Sequence, residues 1–507
     1  MAVVALVFVA SALVYYTFRA AVNFYSRKAK CKPGFANDGL SVYPHIDPFW
    51  GLDLSLAMWR DYTRGRLAEG MRLRHARCGA TFKARELFGA ECIYTVDPEN
   101  IRDVTTIQFA RFQKSAWVDE ASKHIGHGVL MNEGAAWRRS RALLKPVFAK
   151  TTLDELALVE PHVKNMIAAA RAQQGKTLDF LDLATRFSLD VVTEFLFDGS
   201  VKSLSGAGDK ADGSDFLAMV KAFEPACGLF IAVGGLAWFK LAFSYRKLLA
   251  VVGGMKAFFK RRLDLLRKKQ RYAHRDDVGS RKSSTSLFRM LEQEGLSVDD
   301  MQAELQNIFF ASFDTTTSLL ANLVHVIAGR PDVQQKLRDE IAPLRGTPPT
   351  KQDISAMSYL RCVLYEGLRL YTPVASHSRQ AAVDTTLPRG GGPDGRSSVA
   401  VRAGTSVVWS VYALNRDPMH YGEDWAAFRP ERWADGTHSA SSAPYFMPFG
   451  SGPRACIGQQ MAQTEIAYVL VRLLQAFETL ESRDERPFRE AEAVSFYSGN
   501  GTWVEMS

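Results

Sequence analysis

Residues Phe449-Gly450-Ser451-Gly452-Pro453-Arg454-Ala455-Cys456-Ile457-Gly458 decide how this chain reads. One cysteine sits among three glycines, and an arginine precedes it by two positions. Glycine lets a backbone approach a flat group closely. Arg454 can hold an anionic part of such a group, and a shielded Cys456 can serve as a thiolate ligand. The apolar run Ile466–Leu474 predicts a helix beginning just after Gly458. Cys456 then lies near a helix N-terminus, whose dipole favours a thiolate. Alone, the stretch also reads as a glycine-rich turn over a buried cysteine, which is a common core residue.

Working outward, Glu366-Gly367-Leu368-Arg369 falls in a helical pattern over Ile354–Leu370. A spacing of three puts both charges on one face, as on many surface helices. Ala311-Ser312-Phe313-Asp314-Thr315-Thr316 interrupts an otherwise apolar helical pattern over Ser297–Ile327. Acid and hydroxyl groups in a buried helix need partners, and threonine can bond back to the preceding turn. Trp137 and Arg141 share a face of a helix over Ala136–Phe148, beside Arg138, Arg139, Lys145 and, just beyond it, Lys150. Other helical patterns cover Leu153–Ala172, Phe180–Leu196, Gly254–Arg267, Pro331–Leu344 and Gln459–Phe477. Short strand patterns cover Ala80–Arg85, Cys92–Val96, Val399–Val401 and Ser406–Trp409. Arg271–Ser286, Arg389–Arg396 and Ala434–Pro444 read as surface loops. The fold expected is mainly α with small β-sheets.

With these motifs in this order, the chain resembles the cytochrome P450 family. The loop fits FxxGxRxCxG at every fixed position, with Phe449, Gly450, Gly452, Arg454, Cys456 and Gly458 in place. The resemblance implies the cytochrome P450 fold, haem b (iron protoporphyrin IX) as cofactor and Cys456 as the iron ligand. Glu366, Arg369 and Arg432 of Phe428-Arg429-Pro430-Glu431-Arg432-Trp433 match a buried structural ion cluster, with Trp433 replacing the commoner Phe. Trp137, Arg141 and Arg379 match positions that touch the haem propionates, where guanidinium suits carboxylate. Asp314 and Thr315 match the acid and alcohol that pass protons to iron-bound dioxygen. Ser312 departs from the usual glycine, and His377 and Ser378 depart from the usual run before Arg379. The basic helix face implies an acidic redox partner, NADPH-cytochrome P450 reductase. No flavin or dinucleotide fingerprint is found in the chain itself.

Composition agrees with this reading. The 507 residues carry 47% hydrophobic and 23% charged side chains and a net charge of +9. Zinc-finger and RNA-binding signatures are missing, so a nucleic-acid partner is not expected. Six scattered cysteines without a CxxC pair argue against zinc, iron–sulfur and disulfide frameworks. Ala2–Phe18 is uncharged and largely apolar, and Arg19, Arg27, Lys28, Lys30 and Lys32 follow it. It reads as one N-terminal transmembrane helix in the endoplasmic reticulum membrane, with the catalytic domain facing the cytosol. A cleaved signal peptide would need a basic start and a shorter apolar core. The expected organisation is an anchor over 1–30, a basic, proline-rich linker over 31–55 and the monooxygenase domain over 56–507.

Three stretches resemble fungal enzymes that hydroxylate n-alkanes and fatty acids at or near the chain end: Gly126–Phe148, Asp384–Gly395 and Val408–Trp433. The expected activity is insertion of one oxygen atom of O2 into a C–H bond of a hydrophobic substrate. Phe309, Phe310, Phe313 and Val374 are expected to line an apolar pocket for it. The apolar run Gly228–Phe243 reads as a segment dipping into the lipid bilayer or as packed core. Alternatives are a tailoring step in secondary-metabolite or glycolipid synthesis, a haem-thiolate isomerase or dehydratase, and a non-catalytic haem sensor.

Overall fold

The computed structural model describes residues 39–507 apart from 48, 206–212, 224–242, 277–285, 435–442 and 493–494. Ala2–Phe18 and most of Gly228–Phe243 lie outside the described residues. Among the described residues, no helix is long and apolar enough to cross a membrane.

A central helix, Val298–Ala328, organises the molecule. The Ser297 hydroxyl caps it by accepting the Asp300 N–H at 3.1 Å, with Asp299 and Asp300 favourably placed in the first turn. Apolar side chains on most of its faces bury it nearly throughout. On one side it packs on Phe180–Phe197 through Phe187, Val191, Leu320 and Val324. On another it meets an aromatic cluster from Phe195, Phe216, Phe258 and Phe309. The helix Gln459–Ala476 lies in the first of these cores.

Two expected helices, Ala136–Phe148 and Leu153–Ala172, are one helix, Gly134–Arg171. Pro146 and Pro161 sit at exposed positions inside it, and each removes one helical N–H without ending the helix. The pattern over Ile354–Leu370 instead splits at Met357, whose ψ of 98° is extended. A capping box between Thr350 and Asp353 starts the short helix Lys351–Ala356, and Ser358–Leu370 follows. The loop expected from Arg271 is helical as far as Asp276, the end of Phe243–Asp276. Leu52–Thr63 and Leu67–Cys78 are helices without a clear apolar stripe in the sequence.

The main sheet has six strands in the order Ser41–Val42, Thr81–Glu86, Ala90–Thr95, Ser406–Ser410, Ser376–Ala381 and Phe112–Gln113. Arg379 pairs with Val407 in the antiparallel register of its inner strands. A C-terminal hairpin, Glu490–Glu492 with Phe496–Ser498, reaches the central helix. There the Phe496 carbonyl accepts from Asn322 Nδ2 at 2.9 Å and from the Ser318 hydroxyl.

Candidate functional site

The Cys456 loop is a tight backbone knot ahead of the helix Gln459–Ala476. The Cys456 N–H donates to the Phe449 carbonyl at 2.9 Å, and the Gly450 N–H donates to Met447 at 3.0 Å. Gly450 and Gly452 have φ of 70° and 69°, so each takes a left-handed conformation that other residues resist. A Cβ at Gly452 would lie 2.0 Å from the Thr105 carbonyl oxygen, so that glycine fits its neighbour rather than a cofactor. Gly458 caps the helix and donates its N–H to the Cys456 sulfur.

Cys456 is uncovered at its surface yet set deep among protein atoms. Burial pushes its thiol up, while the Gly458 N–H and Arg141 pull it down. Coordination of a cation would stabilise the thiolate against that burial.

Around this loop the structure gathers residues from distant parts of the chain. Arg454 lies 4.3 Å over the Trp137 ring, and Arg141 approaches the same ring at 5.9 Å. Arg454 pairs with Glu133 at 2.7 Å and donates to the Asn132 carbonyl at 3.0 Å. Arg379 donates to the Ser378 carbonyl at 2.7 Å and sits against Trp409. Burial lowers Arg379 to about 10, helped by repulsion from Arg454 and opposed by Glu133. Lys114, which belongs to no motif, joins them. Burial, Arg454 and Arg379 push it down to about 7 despite Glu133. Arg454, Arg379 and Lys114 thus share Glu133 as counter-charge, and Arg141 presses on Arg454. Such a donor set suits a ligand that brings carboxylates of its own.

Glu366, Arg369 and Arg432 behave differently. All three side chains are fully buried. Arg369 grips Glu366 with two bonds of 2.9 and 2.8 Å, and Arg432 Nε adds a third at 2.9 Å. The Trp433 indole N–H and the Arg429 backbone N–H complete the carboxylate at 2.9 and 2.8 Å. The remaining guanidinium protons reach the Asn415, Trp425, Ala427, Tyr421 and Asp424 carbonyls.

On the central helix, Ala311 is exposed while most of its neighbours are buried. Thr315, one turn on, donates its hydroxyl to the Ala311 carbonyl at 2.9 Å, and Ser312 donates to Ile308 at 2.7 Å. Asp314 is buried on the flank. Phe309, Phe310 and Phe313 border a small void among the described residues. Phe309 stacks on Phe313 at 5.4 Å, and the void they border with Val220, Phe223 and Met255 is only about 10 Å³. Helical periodicity marks a buried apolar face without telling core from cavity, and here core wins. Val374 is half-buried.

A model of the cytochrome P450 family matches residues 56–501. The chain belongs to the cytochrome P450 family. It is 34% identical to cytochrome P450 monooxygenase himC of Aspergillus japonicus, over 92% of this chain and 83% of the relative. Cytochrome P450 monooxygenase FPY7 of Fusarium mangiferae is 33% identical, over 91% of this chain and 88% of the relative. Cytochrome P450 52A5 of Candida maltosa is 34% identical, over 83% and 81%. This P450 is accordingly a monooxygenase, an oxidoreductase that uses haem, O2, a redox partner and a hydrophobic substrate. The uncovered cysteine, its glycine-bounded loop and the cationic cluster fit a flat, iron-centred group with two carboxylates.

Proposed function

We propose that Cys456 ligates the haem iron and that Trp137, Arg141, Arg379, Arg454 and Lys114 receive the propionates. The observation that carries this is the crowding of buried cations beside the one cysteine of the glycine loop. When bound, the haem supplies dioxygen activation. Glu366, Arg369 and Arg432 would hold the fold around its site. Thr315 and Asp314 would orient and supply protons to the reaction, with Thr315 held by its bond to Ala311.

In the proposed organisation, residues 1–30 anchor the protein in the endoplasmic reticulum membrane, 31–55 link, and 56–507 face the cytosol. NADPH-cytochrome P450 reductase delivers electrons. Arg138, Arg139 and Lys145 are exposed along one helix and offer it a basic face; the side chain of Lys150 lies outside the described residues.

The substrate class proposed is a fatty acid or alkane, hydroxylated at or near its chain end. Support comes from the likeness of Gly126–Phe148, Asp384–Gly395 and Val408–Trp433 to the fungal hydroxylases of that class. The second reading is a tailoring step on a more functionalised molecule: His377, which departs from the family's usual run before Arg379, is buried and stacked on Trp409. Turnover of dodecane and dodecanoic acid with reductase and NADPH, with products located by mass spectrometry, separates the two. Chain-end alcohols support the first; intact carbon monoxide binding without hydrocarbon oxidation would leave the second.

A further inference from the structure

Residues 126–133 join the helix Ala116–Ile125 to Gly134–Arg171, and this loop is fastened to the central helix by two buried polar side chains. Asn307 Oδ1 accepts the Leu130 and Met131 N–H groups at 2.9 and 3.1 Å, and its Nδ2 donates to the Gly126 carbonyl at 3.2 Å. Glu304, one turn earlier, accepts the Val129 N–H at 2.9 Å and the hydroxyl of Ser140. Three consecutive loop N–H groups thus end on two helix side chains. The contact is close: a Cβ at Gly128 would lie 2.6 Å from Asn307 Cγ. An acid and an amide inside a helix that is otherwise largely apolar are costly unless paired, and here the loop backbone pairs them.

The bonds continue toward the cationic cluster. Ser140 is buried between Trp137 and Arg141 on its helix, and its oxygen accepts Asn132 Nδ2 at 3.1 Å. The Asn132 carbonyl accepts Arg454 Nη2 at 3.0 Å. Glu133, the next residue, pairs with Arg454 at 2.7 Å and accepts the Lys114 backbone N–H at 3.0 Å. An unbroken chain of hydrogen bonds therefore runs from Glu304 through Ser140 and Asn132 to Arg454.

We propose that Glu304, Asn307 and Ser140 are positioning residues for haem retention. They fix the loop that holds the Asn132 carbonyl and the Glu133 carboxylate against Arg454, so that its guanidinium is aimed before the cofactor binds. A side chain ordered in advance loses less freedom on binding than a wandering one. The inference rests on the reading of the Arg454 cluster as the propionate site.

The test breaks the chain from two elements. Glu304→Ala cuts it at the central helix and Ser140→Ala at the facing helix, so a folding defect in one leaves the other. Each is made alone and together with Arg454→Gln in the full-length haem protein. Transfer of haem to apomyoglobin is timed, and thermal unfolding is followed beside it. Each single variant should release haem about fivefold faster, the effect of one neutral hydrogen bond. In the Arg454→Gln background neither should add to the release rate, because residues acting through one partner are not additive. Wild-type release from the folded single variants would overturn the proposal. So would effects that multiply with that of Arg454→Gln, since a general loosening of the fold behaves that way. Unchanged release from Arg454→Gln itself would instead remove the propionate reading on which the inference rests.

Discussion

Two charged clusters in this P450 are built from the same residue types and are opposite in logic. In the Glu366–Arg369–Arg432 cluster, five protein donors complete one carboxylate and backbone carbonyls take up the outer guanidinium protons. In the Arg141–Arg379–Arg454–Lys114 cluster, burial and mutual repulsion depress the cations around Glu133. The first is complete without any ligand and serves the fold. The second is the one proposed to receive the anions of a ligand. A buried charge therefore has to be read through its partners, since burial alone does not distinguish the two uses.

The difference can be broken most forcefully at the complete cluster. Glu366→Ala leaves two buried guanidiniums without their carboxylate, and removing one partner of a buried pair costs about 3–5 kcal/mol. Thermal unfolding and haem content should show little folded protein, and a variant of wild-type stability would refute the structural role.

A third buried group sharpens the contrast. Glu465 follows Cys456 on the helix Gln459–Ala476, and burial alone pushes it up to about 7. Its folded value lies above its unfolded one, so the folded chain keeps a proton the unfolded chain has lost. Stability should fall as pH rises from the ordinary carboxyl range to about 7 and then level. Glu492 is likewise pushed up to about 7, so Glu465→Gln should lessen that slope rather than remove it, with an advantage on the order of 3 kcal/mol above the window. Denaturant unfolding at pH 5 and pH 8 measures it.

The incomplete cluster should respond more mildly and in another observable. Arg454→Gln relieves repulsion in the protein without haem but loses a charged bond to a propionate, about 2 kcal/mol. Haem should transfer to apomyoglobin roughly 30-fold more readily, with little loss of fold stability. Lys114→Met should do the same to a smaller degree, because Lys114 is already pushed down to about 7.

Sequence legibility follows the same division. The Cys456 loop is legible because its chemistry is local to one loop, whereas the spacing of Glu366 and Arg369 is that of many surface pairs and only the family resemblance points to their burial. Arg432 and Trp433 needed the family resemblance, since nothing in their spacing aims them at Glu366. Lys114 and Glu133 escaped notice because their meaning arises only when the chain brings Asn132 to Arg454 across 322 positions. Phe309, Phe310 and Phe313 lie on a helix stripe that looks alike in sequence whether it faces core or cavity, and they are packed around only a small void. The helices Leu52–Thr63 and Leu67–Cys78 went unmarked because polar residues interrupt their apolar positions.

Every role proposed for the site depends on Cys456 being the thiolate ligand of haem. The carbon monoxide difference spectrum of the reduced protein in membranes, recorded beside Cys456→Ala, reads this ligation. A strongly red-shifted band is expected in the wild type and should be lost in the variant. A well-folded wild type without that band, or a variant that keeps it, would refute thiolate ligation by Cys456.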